Sequence, residues 1–279
     1  MKCRVCENTG IQEYSDIGYL CKKCNSISSF SKVSVEAYSS GNYAEYQASR
    51  LEKLYVRLNA IIRISGMIDK HYKTWLDVGC GKGHLLSYLS NKYLVSGVEP
   101  EDARAQVARS VIGHENVFDS FDNVKLSHDV ISAFHVLEHL ETPNELFEFI
   151  SNNLTSHGIA IIEVPNKRSF QAFLANIYWP HWDKGIHRTH FSKDALIMLA
   201  EQNNLRIVKT QYFSLTEGVI GMLSAILRTK DLAVYTLLKR SWYLKFLLIP
   251  FLVFSLLLEF ISSLFFFGGV IRIKLKREN

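Results

Sequence analysis

The chain of 279 residues contains no internal repeat and no low-complexity tract, which excludes solenoids, propeller arrays and linker-like disorder. It also lacks any stripe of basic residues interleaved with aromatics. Its formal charge of +5 is modest, and nucleic acid is not an expected partner. No apolar leader precedes Lys2 and Cys3, so the chain is expected to work in a reducing cytosol, where disulfides do not persist. A glycine is missing where a dinucleotide-binding fingerprint needs its third: Gly79, Gly81 and Gly83 follow the spacing G-x-G-x-G, and His84 stands in the required place. That departure counts against NAD or FAD.

What is present is an organised middle. Residues 74–78 read as a short buried strand, and the glycines after it let the backbone turn sharply and approach a ligand where a Cβ would intrude. A helix over 84–90 then begins with free N–H groups facing that ligand. Glu99, followed by Pro100, closes an apolar strand over 93–98, where a carboxylate can accept hydrogen bonds from both ribose hydroxyls. A nucleoside is the expected guest of Asp77, Gly79, Cys80, Gly81, Gly83 and Glu99, with Cys80 a small residue that fits the turn.

Strands alternating with helical patterns argue an α/β fold with a doubly wound parallel sheet. Thr142, Pro143 and Glu145 have the spacing of a capping box with proline at the first helical position. A fifth strand over 158–165 stops at Pro165, Ser192 caps a further helix, and 205–209 makes a sixth strand. Leu51, Leu54, Leu58, Ile61, Ile62 and Ile68 keep a helical period, which predicts a helix packing the front of the chain onto the sheet.

Four of the five cysteines form two knuckles, Cys3-x-x-Cys6 and Cys21-x-x-Cys24. The spacing reads as a zinc ribbon whose four thiolates fill the tetrahedron, leaving the metal a structural role. The expected organisation is a ribbon over 1–30, a linker and helix over 31–72 and a main domain over 73–279.

The glycine turn resembles the first motif of class I S-adenosylmethionine-dependent methyltransferases. Residues 129–140 resemble the fourth strand and following turn of the same superfamily, particularly its ubiquinone-methyltransferase-like and type 11, 12 and 23 branches. The resemblance implies a Rossmann-like seven-stranded sheet whose last strand, over 270–275, is inserted antiparallel. It implies S-adenosylmethionine as cofactor, with Asp77 helping to hold the methionyl part and Glu99 the ribose. Asp119, Ser120 and Phe121 would meet the adenine, and Pro100, Phe134 and His135 would complete the cofactor-binding set. In the ubiquinone-type enzymes an acid occupies the place of His135 and, with the Glu-His pair, is associated with a divalent metal. A histidine there disfavours magnesium, which prefers oxygen ligands. The cysteine front, followed by an aromatic stretch over 38–46, is similar to methyltransferases of bacterial surface-polysaccharide pathways, which implies a sugar or lipid-linked saccharide acceptor.

Methylating a hydroxyl requires removal of a proton, and histidine suits that near neutral pH. His135 and His139 flank Glu138 after the fourth strand, while His187 and His190 lie with His181 in an aromatic loop after the fifth. O-methyl transfer is the favoured reaction. A noncatalytic cofactor-binding scaffold of a membrane-associated complex is the alternative, and an NAD-dependent sugar enzyme is weakened by His84.

An apolar block over 246–267 is long enough to span a bilayer. It is flanked by Lys239, Arg240 and Lys245 before, and by Arg272, Lys274, Lys276 and Arg277 after. If 270–275 is the seventh strand, the chain must return to the cytosolic sheet, which forbids a single crossing. The segment over 240–268 is then expected to lie at the inner membrane surface as a peripheral or monotopic anchor, with Pro250 a kink and Glu259 reaching the headgroups. A buried cap over the sheet or a homodimer interface is the alternative.

Overall fold

The computed structural model describes residues 2–30, 50–68, 72–182, 186–227 and 242–278; the aromatic stretch 38–46, Lys239 and Arg240 lie outside these. The ribbon supplies β1 (Ile11–Tyr14), β2 (Gly18–Cys21) and β3 (Ile27–Ser29), and α1 (Arg50–Ile64) follows. The alternating core runs β4 (Thr74–Val78), α2 (His84–Leu89), β5 (Leu94–Val98), α3 (Asp102–Ile112), β6 (Val117–Phe118), β7 (His128–Phe134), α4 (Pro143–Asn153) and β8 (Leu154–Pro165). The remaining elements are α5 (Phe170–Ala175), β9 (Thr189–His190), α6 (Lys193–Gln202), β10 (Leu205–Gln211), α7 (Glu217–Leu227), α8 (Trp242–Leu264) and β11 (Val270–Arg277).

Seven strands make one sheet in the order β10-β11-β8-β7-β4-β5-β6. From β6 to β8 all neighbours are parallel, and β11 enters antiparallel to both β8 and β10. The central strands can be almost wholly apolar because both faces are covered: Trp75, Leu76, Val130, Ile131, Ile159 and Ile161 are all buried. The chain runs outward from β4 to β6 and returns to β7 on the other side. The crevice at the carboxyl ends of β4, β5 and β7 is therefore the switch point where ligands of such sheets bind.

Three local expectations change. Thr142 makes no side-chain cap bond; α4 starts on Pro143 with the Glu145 N–H donating to the Thr142 carbonyl at 3.1 Å. On α1, Leu54, Leu58 and Ile61 face outward while Asn59 and Ala60 are buried. An apolar period defines a face without saying which way it turns. Here the inward side is fixed by polar links: Asn59 accepts from the Thr216 hydroxyl at 3.2 Å, and Arg63 reaches Glu163 in β8 at 3.0 Å.

The third change concerns α8. Glu259 does not reach outward: it is fully buried and accepts from the Gly269 N–H at 2.9 Å and the Ser214 N–H at 3.4 Å. Ser255 and Ser262 share its inward face, whereas Phe254, Leu257, Phe260, Ile261 and Leu264 are exposed. The helix is inside out, with polar groups toward the protein and apolar ones away from it. Among the described residues no helix is long and apolar enough to cross a membrane.

Candidate functional site

At the end of β4 the backbone enters the left-handed region at Gly79 (φ 72°), Gly81 (φ 55°) and Gly83 (φ 73°). A Cβ on Gly79 would lie 2.4 Å from Val136, so that glycine is required by packing; one on Gly81 would meet nothing within 4 Å. The face of the turn at Gly81 is thus open. Glu99 stands beside it, one oxygen accepting from the Gly81 N–H at 2.9 Å and the other from the Glu101 N–H at 3.0 Å. Burial pushes its carboxyl upward. A carboxylate offers about four acceptor sites, so each oxygen keeps capacity for a ribose hydroxyl.

Asp77 lies beneath the turn, buried, accepting from the Ser132 hydroxyl at 2.5 Å, and burial raises its carboxyl to about 7. Cys80 packs so closely on Gly97 that a Cβ there would sit 2.5 Å from its sulfur. Burial and the nearby Asp77 and Glu99 carboxylates push the Cys80 thiol up. Pro100 is exposed. The Glu99 N–H donates to the Phe118 carbonyl at 2.9 Å, which sets Asp119 and Ser120 next to the same edge. Asp119 pairs with Arg109 of α3, Ser120 caps a short turn by accepting from the Asp122 N–H at 3.2 Å, and the Phe121 ring packs 5.2 Å from Phe149 of α4.

The other end of the edge is a charge network. His135 follows Phe134 at the end of β7 with a left-handed backbone (φ 57°), uncommon for a residue with a side chain. Its Nδ1 lies 3.1 Å from Glu138 and its Nε2 3.2 Å from Glu163. Glu163 also holds Arg63 at 3.0 Å and the Arg272 Nε at 2.7 Å, and the Arg63 guanidinium lies 4.8 Å from the Phe134 ring centre. Burial opposes charge on His135, Glu138 and Glu163, but the pairing prevails: His135 is raised to about 10, Glu138 is lowered to about 2 and Glu163 falls well below its ordinary value. His135 is consequently an imidazolium at neutral pH. Sequence reading missed Glu163 and Arg272, although both interrupt apolar strands. They are direct cross-strand partners in the β8–β11 register.

The histidine loop closes over this network. The His139 and His187 rings are 4.8 Å apart. His187 Nδ1–H donates to the His181 carbonyl at 2.9 Å and His139 Nδ1–H to the Ile186 carbonyl at 3.3 Å. Burial lowers His139, takes His181 to about 4 and holds His190 well below its ordinary value. His190 lies away from the edge, its Nε2 3.2 Å from the Ser29 hydroxyl of the ribbon.

The ribbon is built into this loop. β3 pairs antiparallel with β9, matching Ile27 to His190 and Ser28 to Thr189, so the ribbon sheet has a fourth strand from the main domain. Ser29 donates to the His187 carbonyl at 2.7 Å and Arg4 to the Arg188 carbonyl at 2.9 Å. Ser192 caps α6 as expected, accepting from the Ala195 N–H at 3.1 Å, and also donates to the Cys24 carbonyl at 2.6 Å. A two-residue strand such as β9 leaves no periodic signal in the sequence.

Two groups of side chains have ligand atoms within 4.8 Å of one another among the described residues: Cys3, Cys6, Cys21 and Cys24, and Glu138, His139 and His187. In the first, the Cys3–Cys24 and Cys6–Cys21 sulfurs are 3.6 and 3.5 Å apart. The edge of a tetrahedron with Zn–S bonds of ~2.3 Å is about 3.8 Å, so the sulfur set fits zinc.

Residues 43–210 match a family described as a methyltransferase domain. Among curated proteins no match is found. Among solved structures, the chain is similar to the O-methyltransferase from the trans-AT PKS multienzyme of Brevibacillus brevis in complex with S-adenosyl-L-homocysteine: 20% identity, TM-score 0.52, 81% of this chain and 75% of that one. It is also similar to the cyclopropane synthase MmaA2 from Mycobacterium tuberculosis, at 13% identity and TM-score 0.52, covering 85% of this chain and 89% of that one. At these identities the structural likeness is one of fold, and a shared fold carries different reactions. The family match spans more than half the chain, which belongs to the methyltransferase-domain family and is a class I S-adenosylmethionine-dependent methyltransferase.

Proposed function

We propose that this enzyme methylates a hydroxyl of a sugar carried on a lipid, working at a membrane surface with zinc as the structural ion of its ribbon. The open face at Gly81 beside Glu99 carries the cofactor assignment. Glu99 would hold the ribose, Asp77 the methionyl end, and Asp119, Ser120 and Phe121 would flank the adenine. Gly79, Gly83, Cys80 and Pro100 shape the backbone that approaches it. When bound, S-adenosylmethionine supplies an electrophilic methyl group.

The proton leaves by way of the histidine loop. His135, held protonated between Glu138 and Glu163, cannot act as a base and instead fixes the turn after Phe134. His190 anchors β9 to the ribbon. His187 donates through Nδ1, so its Nε2 is the acceptor nitrogen in the neutral ring. It is our general base, with His139 beside it. The inside-out α8 supports membrane attachment: its exposed apolar face needs an apolar cover. Of the basic residues after it, Arg272 and Lys274 are buried in β11 and only Lys276 and Arg277 remain partly exposed.

The test is methyl transfer from radiolabelled S-adenosylmethionine to a membrane lipid extract of bacteria that make surface polysaccharide. Label should enter the organic-extractable saccharide fraction. His187→Ala should lower the rate by about 10²-fold or more with cofactor affinity kept. Label confined to water-soluble acceptors would refute the lipid-linked reading.

A further inference from the structure

A groove of about 660 Å³ opens between the ribbon hairpin, the turn after β8 and α5. One wall is apolar, made by Ile17 of the ribbon with Phe173, Ile177 and Phe267. The last three are exposed, and Phe267 lies just beyond the C-terminal end of α8, so this wall runs on toward that helix's outward apolar face. Lys167 and Arg168 line the same groove. Among the described residues neither head group is engaged by a hydrogen bond or an ion pair. Lys167 is drawn down to about 8 by burial and by Arg168, against weaker support from Cys24 and Asp194. Two adjacent cations whose head groups make no hydrogen bond or ion pair among the described residues, at an apolar wall, match a ligand with an anionic head and an apolar tail.

We propose that this groove binds the phosphate head of a membrane lipid, with Lys167 and Arg168 on the phosphate and the chain laid over Phe173, Ile177 and Phe267 toward α8. This deepens the lipid-linked reading above and rests on it. The apolar wall selects a lipid phosphate over a free one. Trp182 also lines the groove, and its ring is 4.8 Å from that of His190, so a sugar on the same phosphate would start beside the loop that carries His187.

The full chain is titrated with dodecyl phosphate below its critical micelle concentration, by tryptophan fluorescence and calorimetry, alongside inorganic phosphate and dodecanol. Dodecyl phosphate should bind at least tenfold more tightly than either fragment. Affinity should fall at least tenfold in Lys167→Gln/Arg168→Gln and in Phe173→Ser, whose side chain is exposed, while S-adenosylmethionine affinity stays within twofold. Equal binding by wild type and variants, or inorganic phosphate binding as tightly as dodecyl phosphate, would overturn the proposal. Loss of this site with methyl transfer to lipid-linked sugar intact removes only this inference. Dodecyl phosphate binding without such transfer removes the reading it rests on.

Discussion

The two ends of the carboxyl edge of the sheet are built differently. The proposed cofactor end comes mostly from one stretch of chain, β4 through Pro100, in which the turn, the open glycine and the carboxylate are close in sequence, with Asp119, Ser120 and Phe121 following just after β6. The proposed acceptor end is assembled from the ribbon, α1, the turn after β7, β8, the histidine loop and β11, through partners such as Arg63 and Glu163 or Ser29 and His187. A locally built site keeps its shape when distant parts fail, whereas one made of remote contacts inherits the stability of each contributor. Perturbing the ribbon or β11 should therefore disable the acceptor end and spare cofactor binding.

The largest effect should follow loss of the proposed zinc, because structural zinc sites contribute on the order of 10 kcal/mol to the order of their domain. Stripping the metal should unfold the ribbon, release β9 and lower methyl transfer about 100-fold or more, with S-adenosylmethionine affinity within threefold. Metal analysis, activity and calorimetry on one preparation check this. A parallel loss of cofactor affinity would erase the contrast.

Glu163→Gln comes next. It leaves Arg272, itself buried, without its counter-charge, a change that costs about 3–5 kcal/mol and should lower Tm by about 6–20 °C. Hydrogen exchange should accelerate in residues 135–139 and change little at the glycine turn. Equal acceleration at both ends would break the comparison.

The strand and glycine turn of the proposed cofactor end were legible in the sequence because their determinants are local. The strand Thr74–Val78 and its glycine turn appear where the pattern puts them, and β11 enters antiparallel as the resemblance implied. The acceptor end was legible only as a set of histidines. Nothing local to His135 announces that Glu163 and Glu138 flank it, and nothing local to His190 announces that β9 pairs it with the ribbon. Periodicity likewise marked the apolar face of α1, and composition the apolar block of α8, but neither gave a direction, which Arg63 and Glu259 fix through buried polar links.

A smaller effect separates the ends by pH. His135 and Glu138 stay charged between pH 5 and 8, being held near 10 and 2. Asp77, raised by burial from 3.8 to about 7, titrates within that window. The fold keeps its proton where the unfolded chain has released it, so this group's contribution to stability is full below about pH 4 and declines as pH rises to 7. Urea unfolding without cofactor should show wild type losing on the order of 1–3 kcal/mol relative to Asp77→Asn between pH 4 and 7. Parallel pH profiles would place the Asp77 carboxyl in a more solvated setting.

The most direct test of the central claim is calorimetric titration of S-adenosylmethionine into wild type and Gly81→Arg. A Cβ at position 81 meets no protein atom within 4 Å, so the variant should fold, with about 1–2 kcal/mol lost to its left-handed backbone, and its side chain should extend into the space reserved for the ligand. The account predicts one-to-one binding by wild type and at least a hundredfold weaker binding by the folded variant. Equal affinities would contradict it.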